Sequence, residues 1–297
     1  MDKNTNESSN DLMRVIQNKF PRLSKGQKLI AEYILENYDK AAFMTASKLG
    51  IAAGVSESTV VRFAIELGYS GYPKLQKALQ ELIKNKLTTV QRLELSNDYI
   101  SNGYTLKGVL KADMENVRAT LEKIDYETFE HVVNNIFEAK RIYIIGLRSS
   151  MALADFVGFY LNLILQNVKT VGSGISDIFE QMITVQEGDL VIGIGFPRYA
   201  TRTIDALGFA QDRGAKVVAI TDSFLSPLAA KADYTLVAQS NMASFVDSLV
   251  APLSVINALI LAVGMREKDK ISNIFNDLEK IWNDYNVYSY DNRTSNY

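Results

Sequence analysis

Between residues 142 and 237 short apolar runs alternate with segments of helical period, and this alternation limits the fold more than any other feature of the chain. Ile142–Ile145, closed by Gly146, precedes a helical stretch from about Ser149 to Leu165. Val168–Val171 precedes one over 175–185, and Leu190–Ile194 precedes a long one over 200–213. The runs Ala215–Thr221 and Tyr234–Val237 complete the series. A strand with one wet face alternates polar and apolar residues, whereas most of these runs are unbroken, so the sheet is covered on both sides. Strand–helix alternation makes the sheet parallel, and right-handed crossovers make it a doubly wound α/β fold of five strands.

The first third differs. Residues 11–90 contain only Pro21 and Pro73 as prolines and show no strand-like alternation. Ser24 is placed to cap a helix reaching about Asn37, with Leu29, Ile30, Tyr33 and Ile34 as its apolar stripe. Thr45 opens a short helix through Leu49 to Ala53, Gly54 breaks it, and Ser56 caps a further helix from about Glu57 to Leu67, ended by Gly68. Helix, tight turn, helix is the layout of a helix-turn-helix in an all-α domain. Val60, Val61 and Ala64 are expected to pack inward, while Ser58, Thr59, Arg62 and Phe63 lie on the N-terminal half, the part that enters a major groove. Ser58 and Thr59 can donate to phosphates or bases, and Arg62 suits phosphate or guanine. Ser56 doubles as a cap. Two packed helices with a glycine cap and no DNA role fit the same outline.

Charge leans the same way. The chain has net charge −2, divided into +5 over residues 1–92 and −7 over the remainder, as for a nucleic-acid module on an acidic scaffold, although a solvated surface has the same look. The absence of cysteine removes disulfides, iron–sulfur clusters, thiolate zinc and a cysteine nucleophile. One histidine, His131, removes the usual zinc triads and leaves any Ser-His-Asp site dependent on it. It falls in a helical stretch between Glu130 and Val132, where a surface or half-buried structural role is expected. No apolar run approaches the roughly 20 residues needed to span a bilayer, and the N-terminus has no apolar signal core, so a cytoplasmic protein with no membrane partner is expected.

The expected division is a tail over 1–10, the helix-turn-helix domain over 11–90, a linker over 91–107, an α/β domain over 108–285 with its core in 128–265, and a tail over 286–297. At the start of the second domain Leu110, Met114, Val117, Leu121 and Ile124 fall on one helical face.

In a doubly wound fold ligands bind beyond the carboxyl ends of the strands. Three loops leave the strands there: Gly146–Ser150; Gly193–Thr201, with Gly195, Arg198, Tyr199 and Thr201; and Thr221–Ser223, with Asp222, leading to Ser226-Pro227. Ser149 and Ser150 stand at a helix N-terminus, which favours an anion, and Arg148 and Arg198 add planar donors suited to phosphate or carboxylate. Hydroxyls acting as helix caps and arginines paired with acidic neighbours are the plainer alternative. No metal or other cofactor is expected.

LSKGQKLIAEYILEN at 23–37 and MTASKLGIAAGVSESTVVRFAIELGYSGYPKLQKAL at 44–79 resemble the DNA-binding domain of RpiR-type bacterial regulators. VSESTVVRF followed by LGYSGYPKLQ is the specific part. The resemblance puts Ser56, Ser58, Thr59 and Arg62 on the recognition helix, with Lys48, Tyr69, Lys74 and Lys77 beside it, able to reach backbone phosphate. Residues 128–265, with DLVIGIGF and RGAKVVAITDSFLSPLAAKADYTL, resemble a sugar isomerase (SIS) domain, which RpiR-type regulators pair with the first. That implies a double-stranded DNA operator, a small anionic effector such as a phosphorylated sugar, and a homodimer or tetramer. The loops depart from the family. Arg148 replaces the second glycine of Gly-x-Gly-x-Ser, while Ser150 keeps its serine. Ser-x-Ser-Gly-x-Thr falls on Gly195, Pro197, Arg198 and Ala200, with only Thr201 and Thr203 as nearby hydroxyls. Either the two arginines take the anion or the ligand is not a phosphosugar. The chain resembles a divergent subgroup sharing a Phe-Pro-Arg-Tyr stretch.

Three functions compete: a regulator, a sugar-phosphate isomerase-like enzyme, and an assembly module with a vestigial pocket. Isomerisation needs a general acid or base at the substrate, and Glu180 and Asp222 are the nearby carboxylates. The regulator accounts for both domains, the charge split and the loops, and no enzyme activity is expected. The segment from Asp247 to Gly264 packs either against a partner subunit or within its own.

Overall fold

The computed structural model describes residues 8–83, 90, 92, 105–172, 174, 176–241 and 246–288. Residues 1–7, most of the expected linker, and 289–297 lie outside the described residues; Ser8–Asn10 of the expected tail open the first helix. Two compact units form. The first takes the described residues up to Ala112 together with Pro197–Tyr199 and those within 241–248, and the second takes the rest.

The first unit holds α1 (Ser8–Lys19), α2 (Lys25–Glu36), α3 (Tyr38–Ala41), α4 (Ala46–Ala52), α5 (Glu57–Glu66) and α6 (Tyr72–Ile83). Ser24 and Gln27 close a capping box on α2, and Thr45 accepts from the Lys48 amide at 3.2 Å to cap α4. Gly54 takes φ +70° in the turn, as expected. Gly50 is as restricted: a β-carbon there would stand 2.8 Å from the Val55 carbonyl oxygen, so α4 and the turn touch only because residue 50 has none. Ile16, Ile30, Ile34, Leu49, Phe63, Leu75 and Leu79 form the core. α6 locks the scaffold through one face. Tyr72 Oη and Gln76 Nε2 donate to the Met44 carbonyl at 2.6 and 2.9 Å, and Gln80 Nε2 donates to that of Ala42 at 3.1 Å.

The second unit continues from α7 (Thr105–Leu121), whose first eight residues fall in the first unit, to α8 (Tyr126–Glu138). There follow β1 (Ile142–Ile145), α9 (Met151–Leu165), β2 (Val168–Val171), α10 (Ile178–Gln181), β3 (Leu190–Ile194), α11 (Thr201–Asp212), β4 (Lys216–Thr221), β5 (Tyr234–Val237), α12 (Val250–Arg266) and α13 (Lys268–Asp284). The sheet is parallel throughout in the order β2-β1-β3-β4-β5, with Ile142 opposite both Val168 and Leu190, and Val218 opposite Tyr234. Both faces are covered, and α12 buries Ala251, Val255, Ile256, Leu259 and Val263 within its own chain. No single helix among the described residues is long and apolar enough to cross a membrane.

One expectation changes here, and the facing of α7 is now defined. The helix expected over 175–185 shrinks to the four residues Ile178–Gln181 and gives way to turns at 182–184, where cationic side chains reach the carbonyls. Lys169, Arg213 and Arg141 donate to the carbonyl oxygens of Gln181, Ile183 and Thr184 at 2.6, 2.6 and 2.7 Å. The apolar face of α7 is its exposed face: Asn116 and Thr120 are buried, while Leu110, Met114, Val117 and Leu121 meet solvent.

Candidate DNA-binding helix and effector loops

α5 and its C-cap pack on a buried stripe of Val60, Phe63, Ala64 and Leu67. Phe63, expected on the groove side, is instead fully buried, since its position i+3 from Val60 lies on the core face; Val61 is only half-buried. Ser58 and Arg62 are exposed and Thr59 is half-buried. Ser56 occupies the cap position, but its hydroxyl does not accept from an α5 amide. It is 2.9 Å from each of the Ser58 and Thr59 hydroxyls, and Arg62 Nε donates to the Ser58 carbonyl at 3.3 Å. These four residues are thus joined in one polar cluster on the first two turns of α5. The remaining expected contacts sit apart from it: Lys48 is exposed on α4, Tyr69 is half-buried after α5, and Lys74 and Lys77 are exposed on α6.

In the second unit the strand ends gather buried polar groups. Ser150 after β1, Thr203 on the first turn of α11, Thr221 and Asp222 at the end of β4, and Gln239 and Ser240 after β5 are all buried. Parallel strands deliver their carboxyl ends to one edge, so this distribution follows from the topology. Arg148 and Ser149 are exposed in a 3-10 turn leading into α9. Gly146 and Gly195 are spots of close approach, where a β-carbon would meet the Ser150 carbonyl oxygen at 2.7 Å and the Leu228 side chain at 2.8 Å. Thr201 is exposed at the start of α11, whose cap residue, Ala200, offers no side-chain acceptor. Ser223 uses its hydroxyl to accept from the Leu225 amide at 3.1 Å, a local capping role. Arg198 and Tyr199 belong to the first unit, Arg198 exposed and Tyr199 half-buried.

Arg148 and Arg198 share a backbone anomaly. Their φ angles are +58° and +66°, in the left-handed region that side chains enter at a cost of about 1–2 kcal/mol.

Sequence reasoning passed over Asn116, Thr120 and Gln239. Thr120 Oγ1 donates to the Asn116 carbonyl at 2.7 Å and accepts from the Gln239 amide at 2.8 Å. Gln239 Nε2 in turn donates to the Asp222 carbonyl at 3.0 Å. A buried chain of hydrogen bonds thus runs from α7 to the β4 loop. The i, i+4 pair of Asn116 and Thr120 opposite an apolar stripe was the available signal, and it reads as a solvated face. Thr203 also stands out: its hydroxyl is buried without a hydrogen-bond partner among the described residues.

Of the two carboxylates near these loops, Glu180 is used in a helix cap and Asp222 stays at the end of β4. Glu180 accepts from the Asp177 amide at 2.9 Å in the capping box of α10, which commits it to the backbone. Asp222 is buried, with Oδ1 3.4 Å from the Thr221 hydroxyl. His131 is half-exposed on α8, stacked on Tyr234 at 5.6 Å, remote in sequence and element from the strand-end loops.

Residues 10–86 match the rpiR-family helix-turn-helix domain, and residues 135–262 match the SIS domain. The regulator HexR of Pseudomonas aeruginosa is 26% identical over 265 residues, 86% of this chain and 90% of its own length. The sugar isomerase domain of an RpiR transcription factor from Sphaerobacter thermophilus is 29% identical, with TM-score 0.57, covering 60% of this chain and 99% of that one. The Vibrio vulnificus NanR protein, solved with ManNAc-6P, shares the fold at 21% identity and TM-score 0.53, covering 91% of this chain and 99% of its own. By both domains and their order, the chain belongs to the RpiR-type superfamily of helix-turn-helix transcriptional regulators carrying a SIS domain.

Proposed function

We propose that this chain is a DNA-binding regulator whose SIS-like domain senses a small anionic metabolite, a phosphosugar or a relative of one, and tunes operator affinity by it. The pair of left-handed arginines carries the sensor half of this reading. Non-glycine residues held at positive φ cluster at ligand clamps; Gln166 and Asn286 share the conformation, Gln166 as the C-cap of α9, but Arg148 and Arg198 alone of the four stand in the loops assigned to the ligand. Where the family uses glycine and hydroxyls to wrap a phosphate, Arg148 and Arg198 supply planar charged donors, each suited to two oxygens of an anion. Ser149, Ser150, Gly195, Tyr199, Thr201, Asp222 and Ser223 complete the set of residues assigned to this ligand. The Phe196–Tyr199 stretch marks the divergent subgroup. A sugar phosphate in a distantly related structure of this fold supports the ligand class.

For DNA, Ser56, Ser58, Thr59 and Arg62 meet the major groove, and Lys48, Tyr69, Lys74 and Lys77 meet phosphates. A two-fold dimer or a tetramer of such dimers sets half-sites roughly 34 Å apart. The experiment is a binding titration of the purified protein on promoter fragments from its own locus at low ionic strength, with and without a panel of sugar phosphates. Binding that weakens about 10-fold or more in Arg62→Ala, as loss of one bidentate base contact predicts, supports the reading; a folded protein indifferent to every fragment refutes it.

A further inference from the structure

α2 meets the recognition helix at its own first turn. Gly26 stands there, and a β-carbon on it would lie 3.3 Å from Thr59 Cγ2 and 3.6 Å from Val55 Cγ1. Val55 belongs to the turn before α5, and Thr59 to the first turn of α5 itself. The two helices also share one core, through Ile30 and Ile34 on α2 and Val60 and Phe63 on α5. Packing therefore holds the start of α2 beside the N-terminal half of α5, the half that meets the groove.

Charge at this place is one-sided. Lys25, the residue before Gly26, is exposed and pairs with no carboxylate among the described residues. The first turn of α2 carries no acidic residue. A cation there opposes the helix dipole, an arrangement that an anion alongside makes favourable. Lys28 is differently used: it is half-buried, with Nζ 5.7 Å from the centroid of the Phe20 ring, so a cation–π contact turns it toward its own domain. The helix end is closed, since the Ser24 amide donates to Gln27 Oε1 at 2.9 Å, and the lysine side chain is what faces outward. Phosphate contacts of this kind fix the register and orientation of a protein on the duplex. We propose that Lys25 binds a backbone phosphate of the DNA strand passing the N-terminus of α5, so that α2 helps to seat the recognition helix.

This assignment rests on α5 being the recognition helix, and sequence preference and salt dependence tell the two apart. The full-length protein is titrated by fluorescence anisotropy on the promoter fragment it binds tightest and on an unrelated duplex of equal length, over a series of salt concentrations. One phosphate contact adds about 0.9 to the slope of log affinity against log salt concentration. Lys25→Gln, with a native circular dichroism spectrum and unfolding midpoint, is expected to bind both duplexes about 3- to 10-fold more weakly at ~0.1 M salt. It keeps the ratio between them and makes the slope shallower by about one. Lys25→Arg is expected to retain affinity and slope. Lys28→Gln removes the same charge and is expected to leave the slope unchanged. Arg62→Ala narrows the ratio between the duplexes instead. An unchanged slope in Lys25→Gln, or an equal loss of slope in Lys28→Gln, overturns the role of Lys25, and a narrowed ratio in Arg62→Ala then still keeps α5 in the groove. A folded protein that binds neither duplex overturns both.

Discussion

Arg148 holds a φ of +58°, and the consequences of replacing it can be worked out from opposing terms. Glycine relieves about 1–2 kcal/mol of left-handed strain but costs about 0.5–1 kcal/mol more backbone entropy on folding. Arg148→Gly is therefore expected to change unfolding stability by less than about 1.5 kcal/mol. Losing a charged hydrogen-bond donor to a ligand costs about 1.5–3 kcal/mol, or roughly 10- to 150-fold in affinity. Denaturant unfolding and calorimetric titration on the same variant separate the two. A stability loss of several kcal/mol would make Arg148 structural, and unchanged ligand affinity would remove it from the site. The sequence showed that arginine replaced glycine at this point. It did not show that the backbone here takes a left-handed φ, because that angle belongs to the turn into α9, which leaves no mark on residue 148 itself.

Elements whose ends are chemically punctuated were legible in advance. Thr45, Gly54 and Gly68 bound α4 and α5 within a residue or two, and the five strands fell on their apolar runs. Elements whose extent and facing depend on tertiary packing were not: the helix expected over 175–185 is only Ile178–Gln181, and α7 turns its apolar stripe outward. The helix-turn-helix offers a prediction at this scale. Gly50→Ala forces a β-carbon to 2.8 Å from the Val55 carbonyl oxygen, a backbone atom. Separating α4 from the turn is expected to cost about 1–3 kcal/mol, read as a lower unfolding midpoint of the N-terminal domain and weaker DNA binding, with ligand binding retained. Tyr72 adds a pH dependence. Burial raises its hydroxyl to about 12 from the usual 10.0. The unfolded chain therefore releases this proton first as pH rises, so stability is intact below pH 10.0, falls between there and about 12, and stays lower beyond. Tyr72→Phe is expected to flatten that decline in an alkaline denaturation series, at a cost of about 1 kcal/mol near neutrality for the lost bond to Met44.

At the scale of the whole molecule, a regulator needs a path by which ligand contact alters an element that DNA binding also biases. Asp222, Gln239, Thr120 and Asn116 form a buried hydrogen-bonded chain from a strand-end loop to α7, the helix by which the chain enters the α/β unit. If ligand at the loop shifts α7 through it, Thr120→Val breaks the path with little change in shape, leaving the Gln239 amide without its acceptor at a cost of about 1–3 kcal/mol. Linkage then makes a sharp demand. Ligand must change operator affinity by the same factor by which operator changes ligand affinity, commonly about 5- to 150-fold. In the unaltered protein the two factors, measured by separate titrations, are expected to agree. In Thr120→Val both are expected to fall toward one while ligand alone and operator alone bind nearly as before. A variant that keeps the full factor in both directions would place the coupling elsewhere. One that loses ligand affinity itself would make Thr120 part of the site and not of the path.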